Sequence, residues 1–224
     1  MDRGPAMRWR ATVRTVIRLI PVTMDLIDAA ITGDDALALA LGHGVTRGWL
    51  TFREALPVTR NALAASPAGS PWGARLFVSG EPPELIGWGG FKGGPEGGAV
   101  EIGYEIAESR RGRGLATAAA RAMAAEAFAD PQVMRVIAHT LPEGNASNRV
   151  LEKVGFSYDG EDHEDSERVW RYALNRPLAQ NEKSTAPSTA HSRTVPSSTV
   201  APRGRGRAGG RLLRGAPNRR HREF

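Results

Sequence analysis

The fold class this sequence predicts is mixed α/β, and three observations predict it. Strand-like and helix-like stretches alternate over residues 16–176 without internal repeats. Midway, the apolar period drops to two around short turns, the pattern of an antiparallel meander. A long alanine-rich amphipathic helix then follows a glycine-containing loop.

Each element has its own warrant. Ile17 to Pro21 is a short apolar strand. From Asp25 onward, Leu26, Ile27, Ala30 and Ile31 precede a Gly33-Asp34 break and Leu37, Leu39 and Leu41 follow it, so two short helices are expected. A third helix covers Arg53 to Ala65. Arg75 to Ser79 and Leu85 to Phe91 form antiparallel strands around the Gly80-to-Glu84 turn, which contains Pro82 and Pro83. After a second turn at Gly93 to Gly98, the segment from Val100 to Ile106 alternates. Val100, Ile102, Tyr104 and Ile106 share one face, and Glu101, Gly103 and Glu105 share the other. The helix from Gly114 to Asp130 should bury Leu115, Ala119, Met123 and Phe128 and expose Arg121 and Glu126; Pro131 stops it. A strand at Val133 to Leu141, a helix at Ser147 to Val154 closed by Gly155, and a strand at Glu167 to Leu174 complete the domain.

Charge is distributed unevenly. Residues 177–224 hold ten Lys/Arg against two acidic residues, a net +8, while 1–176 carries −2. The basic character therefore bears on nucleic acid as a partner only through the last fifth of the chain. That segment is rich in Ser, Thr, Ala and Pro and then in Gly and Arg, too poor in large apolar side chains to offset its ordering entropy, so a disordered basic tail is expected at 177–224. Residues 1–15 read as a basic N-terminal extension with Arg8, Arg10 and Arg14. The apolar run Val16 to Ile20 is interrupted by Arg18 and ends at Pro21, too short for a membrane span or a signal segment. No membrane partner and a cytoplasmic location are expected. Cysteine is absent, which excludes disulfides, zinc–thiolate sites and a thiol nucleophile. The segment from His163 to Glu167 reads as an acidic hairpin turn, and no metal is expected.

The chemistry concentrates after Ile106. Residues Ala107 to Thr117 run from a strand into a helix through a loop holding Gly112 and Gly114. A helix N-terminus delivered by such a loop offers unpaired amides and the positive end of the helix dipole to an anion. The glycines permit close backbone approach, small Ala116 keeps the first turn open, and Arg111 and Arg113 add charge. A pyrophosphate is the expected ligand. A dinucleotide fingerprint would want a third glycine where Thr117 stands, in a parallel unit, and no nucleoside-triphosphate loop is present.

Arg111-x-x-Gly114-x-Ala116 resembles the coenzyme A pyrophosphate loop of the GNAT superfamily of N-acetyltransferases. Val100 to Tyr104 before it, and the stretch from Ala138 to Phe156 after it, resemble the branch of ribosomal-protein alanine N-acetyltransferases, as do Leu85 to Phe91 and Val169 to Tyr172. The resemblance implies a mixed, mostly antiparallel sheet flanked by helices and splayed between two parallel strands, here 100–106 and 133–141. Acetyl-CoA would insert in that opening as co-substrate. The amide near Ile106 would meet the thioester carbonyl, Arg111, Gly112, Arg113, Gly114, Ala116 and Thr117 would hold the pyrophosphate, and Asn145, Ser147 and Arg149 would occupy a second coenzyme-contacting segment.

The resemblance also implies catalytic roles. Many such enzymes carry a tyrosine that protonates the leaving thiolate, and Leu151 stands at its place. Ser147 is then the candidate, its other reading being a helix cap. Glu101, Glu105 and His139 are candidates for relaying the amine proton, against plain readings as solvated glutamates and a hydrogen-bonded strand histidine. Trp49, Trp72 and Trp88 are expected in the core. The implied activity is direct acetyl transfer to a protein N-terminal amine or a small-molecule amine. Two alternatives stay open: a non-catalytic acyl-CoA sensor, and a nucleic-acid-associated protein acting through the tail. Oligomeric state is not legible. Removing 177–224 is expected to leave folding and acetyl transfer intact, because that segment has no periodic apolar face; a lowered melting temperature on truncation would show that it docks.

Overall fold

The computed structural model describes residues 16–66, 70–164 and 166–177. The expected extension at 1–15 and the expected disordered tail beyond Pro177 lie outside the described residues. The elements in chain order are β1 (Arg18–Pro21), α1 (Met24–Thr32), α2 (Asp34–Leu41), β2 (Gly44–Val45), α3 (Ala55–Ala65), β3 (Ala74–Ser79), β4 (Glu84–Phe91), β5 (Ala99–Ile106), α4 (Leu115–Ala129), β6 (Arg135–Thr140), α5 (Ala146–Val154), β7 (Ser157–Glu164) and β8 (Glu167–Asn175). Every element expected from the sequence is present. Two were missed: the two-residue β2, and β7, whose polar composition hides an edge strand.

The strands form one mixed, mostly antiparallel sheet in the order β1-β3-β4-β5-β6-β8-β7, with β2 added in parallel to β4. Alternation assigns the two faces. Val100, Ile102 and Ile106 of β5 and Val136 and Ala138 of β6 pack with Met123 and Ala127 of α4 and Leu151 of α5. A second core, Ile27, Leu37, Leu56, Leu76, Leu85, Trp49 and Trp88, fills the opposite face under α1, α2 and α3. Each fully buried aliphatic or aromatic side chain there contributes about 1.5–3 kcal/mol of transfer free energy. Leu85 and Trp88 reach the same core because the register of β3 on β4 shifts, pairing Phe77 with Gly87 and Val78 with Leu85, so that Ile86 is left as a bulge. The expected tryptophan roles hold for Trp49 and Trp88, which meet edge to face at 6.1 Å, and Trp72 stacks edge-on against Phe91 at 5.1 Å. The glycine run of β4 reflects a close strand approach: a Cβ at Gly89 would lie 2.3 Å from the Gly103 carbonyl oxygen of β5.

One expectation is corrected. Glu126 on α4 is not simply a solvated residue. Its carboxylate receives Arg75 of β3, a residue 3% exposed whose guanidinium also donates to the carbonyls of Gly73, Ala74 and Pro71. A buried guanidinium needs a counter-charge. Glu126→Ala is therefore expected to cost about 2 kcal/mol in urea unfolding, below the ~3–5 kcal/mol of a fully buried pair because Glu126 is 36% exposed.

Candidate active site

Strands β5 and β6 run parallel, yet they pair only at Ala99 with Arg135, Val100 with Val136 and Glu101 with Ile137. Beyond those pairs β5 stays bound to β4 as far as Ile106, and β6 stays bound to β8 as far as Thr140. The two strands therefore part from residue 102 onward and leave a cleft in the middle of the sheet, as the resemblance implied.

At the open end of β5 the chain turns through a 3-10 turn at Glu108–Arg110 and enters α4. Gly112 and Gly114 both have φ of 75°, and a Cβ at either position would meet no protein atom within 4 Å. Gly114 is the N-cap of α4 and provides no side-chain cap. The first bond along the helix axis is from Ala118 N–H to the Gly114 carbonyl, so the amides of Leu115, Ala116 and Thr117 precede the helical ladder. Arg111 folds back, its Nε donating to the Ile106 carbonyl at 3.2 Å, and ties the loop to the end of β5. Arg113 lines an open cavity of about 660 Å³ with Arg18 of β1, Val78 of β3, Ile86 of β4, Arg110 and Leu115, on the side of β5 away from β6; Arg110 there is paired with Glu84. These are an anion site's ingredients: uncapped amides, two glycines backing onto open space, and guanidinium groups.

The face of the sheet opposite α4 carries charge at the apex of the cleft. Glu101 and His139 come together, with Glu101 Oε1 3.1 Å from His139 Nδ1. Sequence reasoning missed their companions. Glu164 of β7 lies 3.1 Å from the same ring nitrogen, and Lys92, one residue past β4, places its ammonium 2.6 Å from Glu101 and 2.9 Å from Glu164. Glu101 is thus no solvated strand glutamate; it is 17% exposed, and His139 is 9% exposed. Both carboxylates reach the ring nitrogen at 3.1 Å, the distance of an ion pair to a protonated imidazole. Glu101 and Glu164 together outweigh burial and push the imidazole up to about 9, while His139 and Lys92 hold the Glu164 carboxyl down at about 2 against its own burial. Burial opposes the charge on Lys92, but the two carboxylates overcome it and raise its pKa. Among the described residues, Glu101, His139 and Glu164 each bring a ligand atom within 4.8 Å of one another. With the Lys92 ammonium on both carboxylates, the four charges already balance.

Nearer the mouth, Glu105 shares the face of Glu101 and accepts the Thr51 amide at 2.6 Å. On the other side Tyr104 crosses toward α5, its hydroxyl 3.5 Å from the Ser147 carbonyl oxygen, and burial raises its pKa so that the phenol stays neutral. Sequence reasoning placed Tyr104 only on the apolar face; the signal was a phenol among Val and Ile, which needs a partner for its hydroxyl. Ser147 does not cap α5. Asn145 does, its Oδ1 accepting the amides of Ser147 at 2.8 Å and Asn148 at 3.2 Å, which leaves the Ser147 hydroxyl uninvolved in capping. Leu151 is buried in the core.

A mixed sheet parted at its centre, with an uncapped helix N-terminus at the opening, is the architecture of acyltransferases that handle a coenzyme thioester. The chain belongs to the GNAT acetyltransferase family: residues 17–157 match the model of the acetyltransferase (GNAT) domain. It is 30% identical over 143 residues, 62% of this chain and 85% of the relative, to the uncharacterized N-acetyltransferase YjdG of Bacillus subtilis strain 168. Its fold is similar to that of the ribosomal L7/L12 alpha-N-protein acetyltransferase RimL in complex with coenzyme A (TM-score 0.53, 17% identity, 72% of this chain and 94% of that one). It is similar also to the aminoglycoside acetyltransferase AAC(6')-Ib in complex with coenzyme A (TM-score 0.50, 18% identity, 72% and 95%). The protein is an acetyltransferase. No helix among the described residues is long and apolar enough to cross a membrane.

The cap assignment has a direct consequence. Asn145→Ala is expected to lower the unfolding free energy by about 1 kcal/mol, whereas Ser147→Ala should leave it nearly unchanged; denaturant melts of the two variants check this.

Proposed function

We propose that this protein transfers acetyl from acetyl-CoA directly to an α-amine, at a polypeptide N-terminus or on a small molecule that carries one. The observation that carries this reading is the uncapped start of α4 immediately beyond the point where β5 and β6 part. The amides of residues 111–117 and the Arg111 and Arg113 guanidiniums would hold the pyrophosphate, Asn145 and Arg149 would flank the coenzyme from α5, and the backbone near Ile106 would donate to the thioester oxygen. A donor aimed at developing negative charge is worth several kcal/mol, about 2.7–4 for one oxyanion contact.

Acetyl-CoA brings an activated acyl carbon. The acceptor nitrogen bonds to that carbon as the carbon–sulfur bond breaks; the amine proton leaves to a base, and the sulfur gains a hydrogen bond or a proton. Ser147, freed from capping and beside the Tyr104 phenol, is the hydroxyl proposed for the sulfur. Glu105, on the polar face at the open end, is proposed to take the amine proton through water. His139 is a weaker candidate for that step, since a ring already protonated at neutral pH has no lone pair to accept with. Among the described residues the site therefore has no deeply buried free base, and the acceptor's own pKa matters. At pH 7 deprotonating a lysine ε-amine costs roughly 4.6 kcal/mol, against about 1.0–1.4 kcal/mol for an α-amine. That difference favours the α-amine.

The test is mass spectrometry of a library of peptides and amine metabolites incubated with the protein and acetyl-CoA. Acetylated α-amines are the expected product; products confined to lysine side chains would reject the acceptor class. Gly114→Asp, which puts a side chain on a backbone at φ 75° and a negative charge at the helix terminus, should abolish calorimetric acetyl-CoA binding without unfolding the domain. Unchanged affinity in that variant would reject the loop assignment.

A further inference from the structure

We infer that Lys92, Glu101, His139 and Glu164 form a clasp that sets the width of the coenzyme cleft, with His139 as its positioning residue. The inference rests on the coenzyme reading above. Its first support is location. Glu101 belongs to the last residue pair that joins β5 to β6, and His139 lies on β6 two residues beyond that pair. The charged contacts therefore begin where the backbone ladder stops.

The second support is connectivity. Lys92 follows β4, Glu101 lies on β5, His139 on β6 and Glu164 on β7. The first two belong to the half of the sheet on the near side of the cleft, the other two to the half beyond it. Backbone pairing joins those halves through only three residue pairs. Every ion pair between Glu101 and His139, or between Lys92 and Glu164, crosses the gap. The third support is charge. The ring of His139 is nine-tenths buried, with Glu101 and Glu164 at Nδ1 and Asp162 of β7 3.7 Å from Nε2. Its register partner on β8, Arg171, is itself engaged by Asp159 and Asp162. A neutral ring would turn a lone pair toward one of these carboxylates. A cationic ring attracts them all, so the clasp closes only while His139 carries its proton.

The sign of the pH dependence follows. The folded-state pKa of about 9 lies above the ordinary histidine value of 6.5, so the contribution is fully present below the ordinary value and is lost as pH rises through about 9. Isothermal calorimetry of acetyl-CoA on the full chain between about pH 7 and 9.5 reads this out. Wild-type affinity should hold near pH 7–8 and fall about threefold toward pH 9.5, where about a quarter of the rings keep their proton, while His139→Gln should bind about tenfold more weakly at pH 7 and show no such fall. Glu164→Gln keeps the shape of a side chain that is 41% exposed. It should fold readily and move affinity in the same direction by less, which keeps the question open to test if His139→Gln fails to fold. Wild-type binding with unchanged affinity in a folded variant would overturn the clasp alone. No binding by the wild-type protein would overturn the coenzyme reading and the clasp with it.

Discussion

The parting of β5 from β6 is the constraint on which the rest of the molecule depends. Two parallel strands at the centre of a sheet would ordinarily exchange hydrogen bonds along their whole length, and backbone groups left without partners in a sheet interior are costly. Here the ladder ends after Glu101 and Ile137. The edges of β5 and β6 facing the cleft then have donors and acceptors to offer an extended polar chain, in the manner of a strand added to an exposed edge. The outer neighbours compensate. β4 holds β5 to its end and β8 holds β6 to its end, so the gap lies between two paired strands rather than at a frayed end.

The two sides of the opening differ in a way that suits a long anionic co-substrate with a neutral reactive end. Beyond β5 the chain delivers the uncapped α4 terminus, with Arg111 and Arg113 in the loop that leads into it, a concentration of positive charge. At the apex the charges of Lys92, Glu101, His139 and Glu164 cancel. A polyanion would thus find positive charge at one end of the cleft and no net charge among those four groups at the other. The core on the α4 face, with Met123, Ile102 and Leu151, supports both ends by fixing α4 and α5 against the parted strands.

How much of this was legible depended on distance along the chain. The glycine loop, the alternation of β5 and the helix at 115–129 are local signals, and they appear in the structure where the sequence put them. Contacts across the sheet were harder. Arg75 and Glu126 lie 51 residues apart, and a glutamate on the expected outer face of a helix gives no sign of a buried guanidinium on another strand. Lys92 and Glu164 flank turns, where a charge ordinarily reads as solvated; the antiparallel pairing of β4 with β5 brings Lys92 beside Glu101, and the parallel register of β5 on β6, followed by the return of β7, brings Glu164 there. The cap of α5 was within reach. Asn145 directly precedes the helix and is as good an N-cap as serine, but beginning the helix one residue late moved the role to Ser147.

Why the apex should be held by charges rather than by packed aliphatic side chains can be argued from what each would do to the cleft. An apolar plug gains free energy by excluding water and closing on itself, so it would draw β5 and β6 together and extend the ladder at the expense of the opening. Ion pairs that remain 9–41% exposed gain less, since desolvation offsets much of their attraction. Their preferred separations, however, are set by contact distances of about 2.7–3 Å between charged heavy atoms. A ring and an ammonium interposed between two carboxylates therefore act as a spacer as well as a tie. They hold the strands together against further splaying and hold them apart against closure, with a geometry that the net stability of the fold scarcely registers.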